Sequence, residues 1–383
     1  MIKSRPRIVI LAVYAAFGAI VGTWAGSIPQ IVAANGLSDF GLGFGLTVST
    51  FAGVVAMGLG GAIGRRASNR MLILILLPTL WAFAALLLLS GSSATLYAGL
   101  IGFGVAVGLL DVFMNAEASA IETDVGRPIF TSFHASVSGG MAVFAIAGSL
   151  VSTLVDTWAT AAMSAPLALV AWLLVRVSIP PRNRGAMPFA AAASRPNGAL
   201  VVIGLAMGLI IATEMAAIFW SAKLLEEQAP RLAAIAGLGA AFFALCHMIM
   251  RMQGDRLRAR FGDIALMKAL LAMPLAGFLT LGLSSSFALS VAAFASIGFG
   301  LAIIVPCLLN IAAMQIPGNR AAALGFVFAV AGAPRIIAPW IFGLIAAESS
   351  TRAAFGSCAV IVVAAWVLIA RLPRRLPHSA LPA

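Results

Sequence analysis

Residues 101–104 read Ile-Gly-Phe-Gly, and residues 297–300, 196 positions further on (297 − 101), read Ile-Gly-Phe-Gly again. Both copies lie within long apolar stretches. A second set of matches has a spacing of 190 residues (208 − 18) and relates Gly18, Ile20, Thr23 and Ile28 to Gly208, Ile210, Thr213 and Ile218. A membrane chain whose second half repeats its first is typical of duplicated transporters, in which a solute path runs between two helix bundles.

The two spacings differ by six residues (196 − 190), which predicts about six additional residues between the first and fourth helices of the second half. The polar segment 254–262 is the natural place for them, as a loop. We expect a rotation about the membrane normal to bring Gly104 onto Gly300 and Thr23 onto Thr213.

The composition excludes a water-soluble protein, because 62% of the residues are hydrophobic, 9% are charged and the mean hydropathy is +1.07. Runs of the roughly 20 apolar residues needed to cross a bilayer occur at 8–34, 40–63, 71–90, 94–120, 129–154, 157–178, 198–222, 231–250, 264–283, 287–309, 321–346 and 353–371. Since helices satisfy their own backbone groups in lipid, we predict an all-α membrane protein of twelve transmembrane helices in two pseudo-symmetric bundles of six.

The charge distribution predicts the orientation in the membrane. Most of the 24 Lys and Arg residues fall on the side that holds both termini, only Lys223, Arg231 and Arg352 fall on the other side, and Arg335 lies within a span. Basic residues are retained in the cytoplasm, so both termini are expected there and the protein is expected in the cytoplasmic (inner) membrane. The net charge of +12 is thereby explained without nucleic-acid binding.

Residues 179–197 form a polar linker between two predicted domains, 1–178 and 198–383. Cys246, Cys307 and Cys358 fall within predicted spans, with no spacing typical of metal ligands or disulfides. We therefore predict no metal and no cofactor, and we expect a monomer.

Residues 254–256 (Gly-Asp-Arg), with Gly262 after them, resemble the signature of the major facilitator superfamily. Residues 64–70 (Gly-Arg-Arg-Ala-Ser-Asn-Arg) lack the aspartate of that signature. Residues 35–39, 108–115 and 127–135 are similar to its bacterial YbjJ/MosC-like branch. The resemblance covers the whole chain and implies the twelve-helix fold of that superfamily, transport by alternating access, and no enzymatic activity.

Ionisable residues deep in the membrane are the functional candidates, because a charged group at a helix centre costs about 2.5–3.5 kcal/mol. Asp111, Glu214 and His134 are the predicted proton-coupling residues. A carboxylate in a cavity of low dielectric constant takes up a proton reversibly as either mouth opens to water. The alternative is a structural network in which Asp111 only hydrogen-bonds Asn115 or His134.

Polar and aromatic residues on facing helices are the predicted substrate-binding set: Thr23, Trp24, Ser27, Gln30, Asn115, Thr213, Trp220, Asn310 and Arg335. Aromatic faces beside hydroxyl and amide groups suit a sugar- or cyclitol-like solute, although ordinary packing explains the tryptophans as well. Arg335 needs an anion, for which Glu214, Asp111 and a substrate carboxylate are the candidates.

Charged residues near the helix ends form a predicted cytoplasmic gate: Arg65, Arg66, Glu117, Glu122, Arg127, Asp255 and Arg256. In the state closed on that side, Arg65 and Arg66 are expected to approach carboxylates at the inner end of the fourth helix. Purely structural ion pairs are the alternative interpretation.

These features together predict a secondary active transporter that moves a small polar organic solute across the lipid bilayer of the cytoplasmic membrane by alternating access, coupled to protons. A multidrug or metabolite proton antiporter is the main alternative, but residues 138–142 (Ser-Gly-Gly-Met-Ala) lack the proline of the antiporter motif. The second alternative is a membrane receptor of the same fold that does not transport. Sequence motifs of a hydrolase or metalloprotease are absent, so an enzyme is not expected.

Overall fold

A computed structural model describes residues 5–126, 129–180, 198–316 and 320–372. These residues are mostly helical and form no β-strand. Twelve of the helical segments are long and apolar enough to span a membrane, which confirms the predicted number. They are α1 (Pro6–Gly26), α2 (Asp39–Gly64), α3 (Asn69–Leu88), α4 (Ser93–Val125), α5 (Phe130–Leu154), α6 (Thr157–Ser178), α7 (Gly198–Phe219), α8 (Pro230–Phe261), α9 (Asp263–Leu283), α10 (Phe287–Ala313), α11 (Ala323–Glu348) and α12 (Thr351–Ala370).

Serine side chains set the start of several spans. The hydroxyl oxygens of Ser38, Ser68, Ser92 and Ser350 accept hydrogen bonds from backbone N–H groups in the first turns of α2, α3, α4 and α12. Each bond satisfies an N–H group that has no partner within the helix. Two short helices, Ile28–Ala34 and Ser221–Gln228, follow α1 and α7 at the same end of the bundle.

Packing follows the same pattern in the two halves. In the first half α1 packs on α5 and α2 on α4; in the second half α7 packs on α11 and α8 on α10. The halves meet where α5 packs on α8 and α2 packs on α11. The exact domain limits at residues 178 and 198 stay a prediction, and most of the linker, residues 181–197, lies outside the described residues.

Glycine contacts correct the predicted register of the repeat. A Cβ atom at Gly108 on α4 would collide with the backbone of Gly53 on α2, and one at Gly298 on α10 would collide with the backbone of Phe243 on α8. Both members of the second pair lie 190 residues after the first (298 − 108 and 243 − 53). The spacing of 190 therefore relates α2 and α4 to α8 and α10, and the match of Gly104 with Gly300 is wrong because Gly300 faces α9 instead.

The segment 254–262 is likewise not a loop. Helix α8 continues to Phe261, and the chain turns at Gly262, whose φ of +74° favours glycine. The Arg258 guanidinium bonds Asp263 (Nε to Oδ1, 2.8 Å) and lies 3.4 Å from Asp255. The six additional residues predicted at this place from the sequence are therefore not found, and one spacing of 190 residues relates the two halves.

We call the end of the bundle that holds Arg65, Arg256 and Lys268 the basic end, and the other the opposite end. Aromatic rings close the opposite end: Trp24 of α1 and Phe219 of α7 lie 4.8 Å apart between ring centroids. Trp24 is only 2% exposed.

Backbone and polar contacts tie the halves together at the opposite end as well. A Cβ atom at Gly43 of α2 would lie 2.6 Å from the Cα atom of Gly343 on α11, so the two helices touch there through their glycines. The Ser149 hydroxyl of α5 accepts a hydrogen bond from the backbone N–H of Gly237 and donates one to the carbonyl of Ala234, both at 3.0 Å. The structure is therefore closed at the opposite end.

Candidate functional site

Four charged side chains from both halves converge inside the spans: Asp111 of α4, Glu214 of α7, Arg251 of α8 and Arg335 of α11. We call them the central charge cluster. Arg335 interacts electrostatically with Asp111 and Glu214, and Arg251 interacts with Glu214. All four residues are half-buried. When both carboxylates are ionised, their two negative charges balance the two arginines, which offsets part of the cost of holding each charge in the membrane.

In the first half a hydrogen-bonded chain fixes Asp111. The Tyr14 hydroxyl of α1 donates to the Asn115 amide oxygen (2.5 Å), and the Asn115 amide nitrogen donates to Asp111 Oδ1 (2.9 Å). Asn115 lies one helical turn after Asp111, so both face the same side of α4. The predicted contact between Asp111 and Asn115 is present in the structure.

His134 lies on the same side of the first half but is separated from Asp111 by Tyr14. Its ring meets the Tyr14 ring edge-on, with centroids 5.4 Å apart, and packs on Phe130 at 5.1 Å. Arg251 from the other half acts on it electrostatically. His134 therefore lies beside the central charge cluster.

In the second half Glu214 faces His247 of α8. Glu214 Oε1 and His247 Nε2 are 3.6 Å apart, too far for a direct hydrogen bond. Arg251, one turn after His247, donates from Nε to the carbonyl of Ala302 on α10 (3.2 Å), which holds its guanidinium beside Glu214.

Three buried polar atoms of this region have no hydrogen-bond partner among the described residues: Glu214 Oε1, His247 Nε2 and Arg335 Nε. Buried polar atoms normally have a partner, either in the protein or in water. Pro334 and Pro339, which lack an N–H group, flank Arg335 and leave backbone carbonyls of α11 without their helical donors. The cluster therefore offers one donor, one acceptor and one group of either kind that are not used by the described part of the protein.

The hydroxyls predicted to bind substrate are occupied by backbone contacts instead. Thr23 donates to the carbonyl of Ala19, and Thr213 to that of Ile210, both at 2.8 Å. Ser27 is fully buried and donates to the carbonyl of Thr23. Only Ser27 also contacts another helix, through the carbonyl of Gly148 on α5 (3.2 Å), and the structure does not bring these side chains to the central charge cluster.

Three more of the predicted substrate-binding residues, Gln30, Asn310 and Trp24, also lie away from the cluster, whereas Asn115 and Arg335 lie at it. Gln30 bonds the Thr153 hydroxyl near the opposite end (2.8 Å), and Asn310 bonds Asp263 near the basic end (2.6 Å). Trp24 packs between the rings of Phe103 and Phe219.

Trp220 is 1% exposed and packs on Phe342. It also lines a cleft of about 560 Å³ between α7, α11 and α12. The cleft is lined almost wholly by apolar side chains, and its rim residues Ile337 and Val360 are exposed on the surface of the bundle. A cleft of this kind faces lipid and does not suit a polar solute.

Of the predicted gate residues, Glu122 has a different role. Its carboxylate accepts hydrogen bonds from the backbone N–H groups of Ile129 and Phe130 (2.7 and 2.6 Å), so it caps the start of α5. Glu117 is buried and accepts from the amide of Asn69 (3.3 Å), which ties α4 to α3.

The remaining gate predictions concern arginines and Asp255. Arg65 donates to the carbonyl of Gly61 in its own helix, Arg256 lies 3.5 Å from Gln253, and Asp255 pairs with Arg258. Arg66 lies beside Arg65 at the turn after α2. Arg127 lies outside the described residues. A gate formed by these residues stays a prediction for the state closed at the basic end.

Sequence reasoning missed three residues of the site. Arg251 counted as a cytoplasmic topology signal, but it lies near the middle of the helix Leu238–Phe261. The sequence patterns singled out neither His247 nor Tyr14 as a site residue. The four-residue spacing of His247 and Arg251, which places them on one helix face with Glu214 opposite, is the signal that was available. No group of three His, Cys, Asp or Glu side chains suited to a metal forms within the described part of the chain.

Sequence comparisons link the chain to membrane transporters. It is 30% identical over 350 residues to an uncharacterized MFS-type transporter of Yersinia pestis, covering 90% of this chain and 89% of the relative. It is 26% identical over 361 residues to the membrane protein MosC of Rhizobium meliloti, covering 92% and 86%. No family model matches the chain.

Solved structures with the same arrangement of helices are transporters as well. A point mutant of the nucleoside transporter NupG superposes with a TM-score of 0.76 at 12% identity, covering 97% of this chain and 100% of that one. A D-xylose-proton symporter gives a TM-score of 0.77 at 15% identity, covering 95% and 96%. At such low identities the likeness concerns the fold alone.

Proposed function

The chain belongs to the major facilitator superfamily of membrane transporters, and from that premise we propose that it couples the movement of a small polar organic solute to protons. One observation carries the proposal: the central charge cluster joins the two halves inside the membrane, with Arg335 acting on Asp111 from one half and Glu214 from the other. Protonation of Asp111 weakens the attraction between the halves directly, and protonation of Glu214 changes it through Arg335, which both carboxylates share, so proton binding is coupled to the relative position of the halves.

The solute class follows from the unpartnered atoms. Glu214 Oε1 is an acceptor, Arg335 Nε is a donor, and His247 Nε2 takes either role. A hydroxyl group both donates and accepts, so neighbouring hydroxyls on a ring satisfy all three. This supports a sugar- or cyclitol-like solute, and Asn115 and Arg335 are the predicted substrate-binding residues that lie at the cluster.

Closure at the opposite end supports an inward-facing state. With the basic end in the cytoplasm, as the distribution of Lys and Arg predicts, solute and protons reach the half-buried cluster from the cytoplasm. In the alternate state the contacts at the opposite end separate and the basic end closes. Import and export use the same two states, so the direction depends on the gradients.

Transport into proteoliposomes tests the proposal. With purified protein and radiolabelled myo-inositol as the first probe of a cyclitol and sugar panel, an imposed inward proton gradient is expected to drive accumulation above the equilibrium level. Uptake that rises only under the reversed gradient indicates antiport, the efflux alternative. Equal uptake with and without a gradient, across the whole panel, rejects proton coupling.

An ion pair between the two halves at the opposite end is expected to stabilise the inward-facing state. Lys223 in the helix Ser221–Gln228 lies 2.9 Å from Asp39 of α2 and also bonds Glu227, which accepts from the Thr351 hydroxyl (3.0 Å). Burial lowers the pKa of the Lys223 ammonium, but its hydrogen bonds to Glu227 and Asp39 raise the pKa more, so the net change is upward. The Lys223 ammonium is therefore charged at neutral pH, and we call its contacts with Asp39 and Glu227 the latch.

We expect Lys223→Met to favour the outward-facing state. A hydrogen bond between charged groups contributes about 1.5 kcal/mol, so the ratio of the two states should move by roughly tenfold. The measurement uses Ser27→Cys, a fully buried position beneath the closed end, in a protein without its three native cysteines. In Lys223→Met, a membrane-impermeant maleimide added at the opposite end should label the cysteine introduced at position 27 faster than in the parent protein.

Lys268→Met is the matched control, since it removes one positive charge at the basic end. Its labelling rate should equal that of the parent protein. Equal rates for Lys223→Met and Lys268→Met contradict a role for the latch in holding the opposite end closed.

A further inference from the structure

Tyr14 has no role in the proposed transport cycle, yet it is fully buried and makes one of the shortest hydrogen bonds in the cluster region. Its hydroxyl donates to the Asn115 amide oxygen at 2.5 Å, and the other end of that amide donates to Asp111. The ring is held by Phe133 on one side and by the edge contact with His134 on the other. Tyr14 therefore sets the orientation of the Asn115 amide.

The observed arrangement fits a charged Asp111. An ionised carboxylate only accepts hydrogen bonds, so it needs the N–H group of Asn115, and the amide oxygen then turns towards a donor. Tyr14 supplies that donor. A protonated Asp111 instead has an O–H group to donate, and the amide oxygen becomes its acceptor after the amide flips by half a turn.

A tyrosine hydroxyl is suited to both arrangements because it donates or accepts. After the flip, the Asn115 N–H group donates to the Tyr14 oxygen, and Asp111 donates to the Asn115 oxygen. The flip exchanges two atoms of nearly equal size, so the packing around Asn115 need not change. Two hydrogen bonds are kept in either protonation state, so Tyr14, Asn115 and Asp111 each retain a partner.

We propose that Tyr14 and Asn115 form a reversible hydrogen-bond relay that lets Asp111 gain and lose a proton with both of its bonds retained. The proton enters from cavity water and leaves to it, and the relay itself carries no net proton. Tyr14 is thus a positioning residue. The inference rests on the proposed function, in which Asp111 is the titrating group.

Other charged groups act on Asp111 in both protonation states. Among the described residues, Arg335 of α11 acts on it from the second half and Tyr14 of α1 from the first. Arg335 is shared with Glu214, and Arg251 acts on Glu214 and on His134. Tyr14→Phe leaves the charged groups Arg335, Glu214 and Arg251 in place, so a change in the titration of Asp111 reports the loss of the Tyr14 hydroxyl.

Infrared difference spectroscopy of the reconstituted protein tests the relay. The carbonyl band of protonated Asp111 is identified by its loss in Asp111→Asn and followed as a function of pH. Tyr14→Phe loses the bond to Asn115 in both protonation states, so the midpoint should move only by the difference in strength between the two bonds, upwards by roughly 0.5 pH unit. The direction follows because the lost bond polarises the amide most strongly towards a charged carboxylate.

The chain offers a matched control, since it contains two tyrosines. Tyr97 donates to the carbonyl of Gly41 (3.2 Å) between α4 and α2, near the opposite end. Tyr97→Phe loses the same hydroxyl but should keep the wild-type midpoint. Asn115→Leu removes the relay from its other member, so adding Tyr14→Phe to it should cause no further shift.

The relay and the proposed function fail in different ways. A Tyr14→Phe midpoint equal to that of Tyr97→Phe, or lower, overturns the relay even if gradient-driven uptake is intact. The absence of any titrating Asp111 band overturns it as well. A band that shifts as expected, in a protein that shows no gradient-driven uptake, leaves the relay standing and rejects proton-coupled transport.

Discussion

Asp111→Asn is expected to abolish accumulation of solute driven by a proton gradient while leaving exchange of solute across the membrane intact. Asparagine keeps the shape of aspartate and hydrogen-bonds Asn115, but it cannot release a proton. For one proton per solute, a gradient of two pH units supports roughly 100-fold accumulation. The variant should fall to the equilibrium level in proteoliposomes, whereas exchange of labelled for unlabelled solute continues.

Glu214→Gln is the comparison that identifies the proton carrier. It makes the same change at the other carboxylate that acts on Arg335. If Asp111 is the carrier, Glu214→Gln should alter solute affinity through the atoms that face His247, and some accumulation should remain. Normal accumulation in both variants contradicts proton coupling through this cluster, and another coupling ion or facilitated diffusion would take its place.

The fold could be predicted because its signals are local or additive. Each span needs only about 20 apolar residues, and the serines that begin α2 and α12 follow short polar turns. The register of the repeat was not predictable from the Ile-Gly-Phe-Gly match. Glycines occur wherever two helices touch, and Gly104 and Gly300 touch different neighbours, α2 and α9.

Three of the four residues of the central charge cluster were predictable, because a charged residue within an apolar span is unfavourable in the membrane and therefore stands out in the sequence. Asp111, Glu214 and Arg335 interrupt apolar runs, and unpaired charges in the membrane are rare. Arg251 was misread because it follows the apolar run 231–250 directly and seemed to mark the end of a helix that in fact continues to Phe261.

The hydroxyl half of the site was not predictable from spacing. Thr23 and Thr213 match in the sequence repeat, but each hydroxyl bonds a carbonyl of its own helix. A threonine in an apolar helix either makes this bond or faces a cavity, and only the packing of the neighbouring helices decides between the two. Tyr14 differs from the threonines, because its hydroxyl bonds Asn115 on another helix, 101 residues away. No local sequence pattern predicts such a contact.

Arg335→Gln is expected to have the second large effect, lowering stability and transport together. Arg335 is the positive charge that acts on both Asp111 and Glu214, and its removal leaves them without that counter-ion. Removing one partner of a buried ion pair costs about 3–5 kcal/mol; Arg335 acts on the two carboxylates from beyond contact distance and is only half-buried, so the loss should fall below that range. The melting temperature in detergent should fall, and both accumulation and exchange should be lost.

A compensating change separates charge balance from general damage. Arg335→Gln combined with Asp111→Asn removes one positive and one negative charge from the same cluster, so the melting temperature should recover towards the wild-type value although transport does not return. Arg335→Gln combined with Glu348→Gln is the matched control, because Glu348 is an exposed carboxylate at the end of α11. That control should melt as low as Arg335→Gln alone. Equal recovery in the two double variants would mean that Arg335 acts through the total charge of the protein, and the central charge cluster would then have no specific part in holding the halves together.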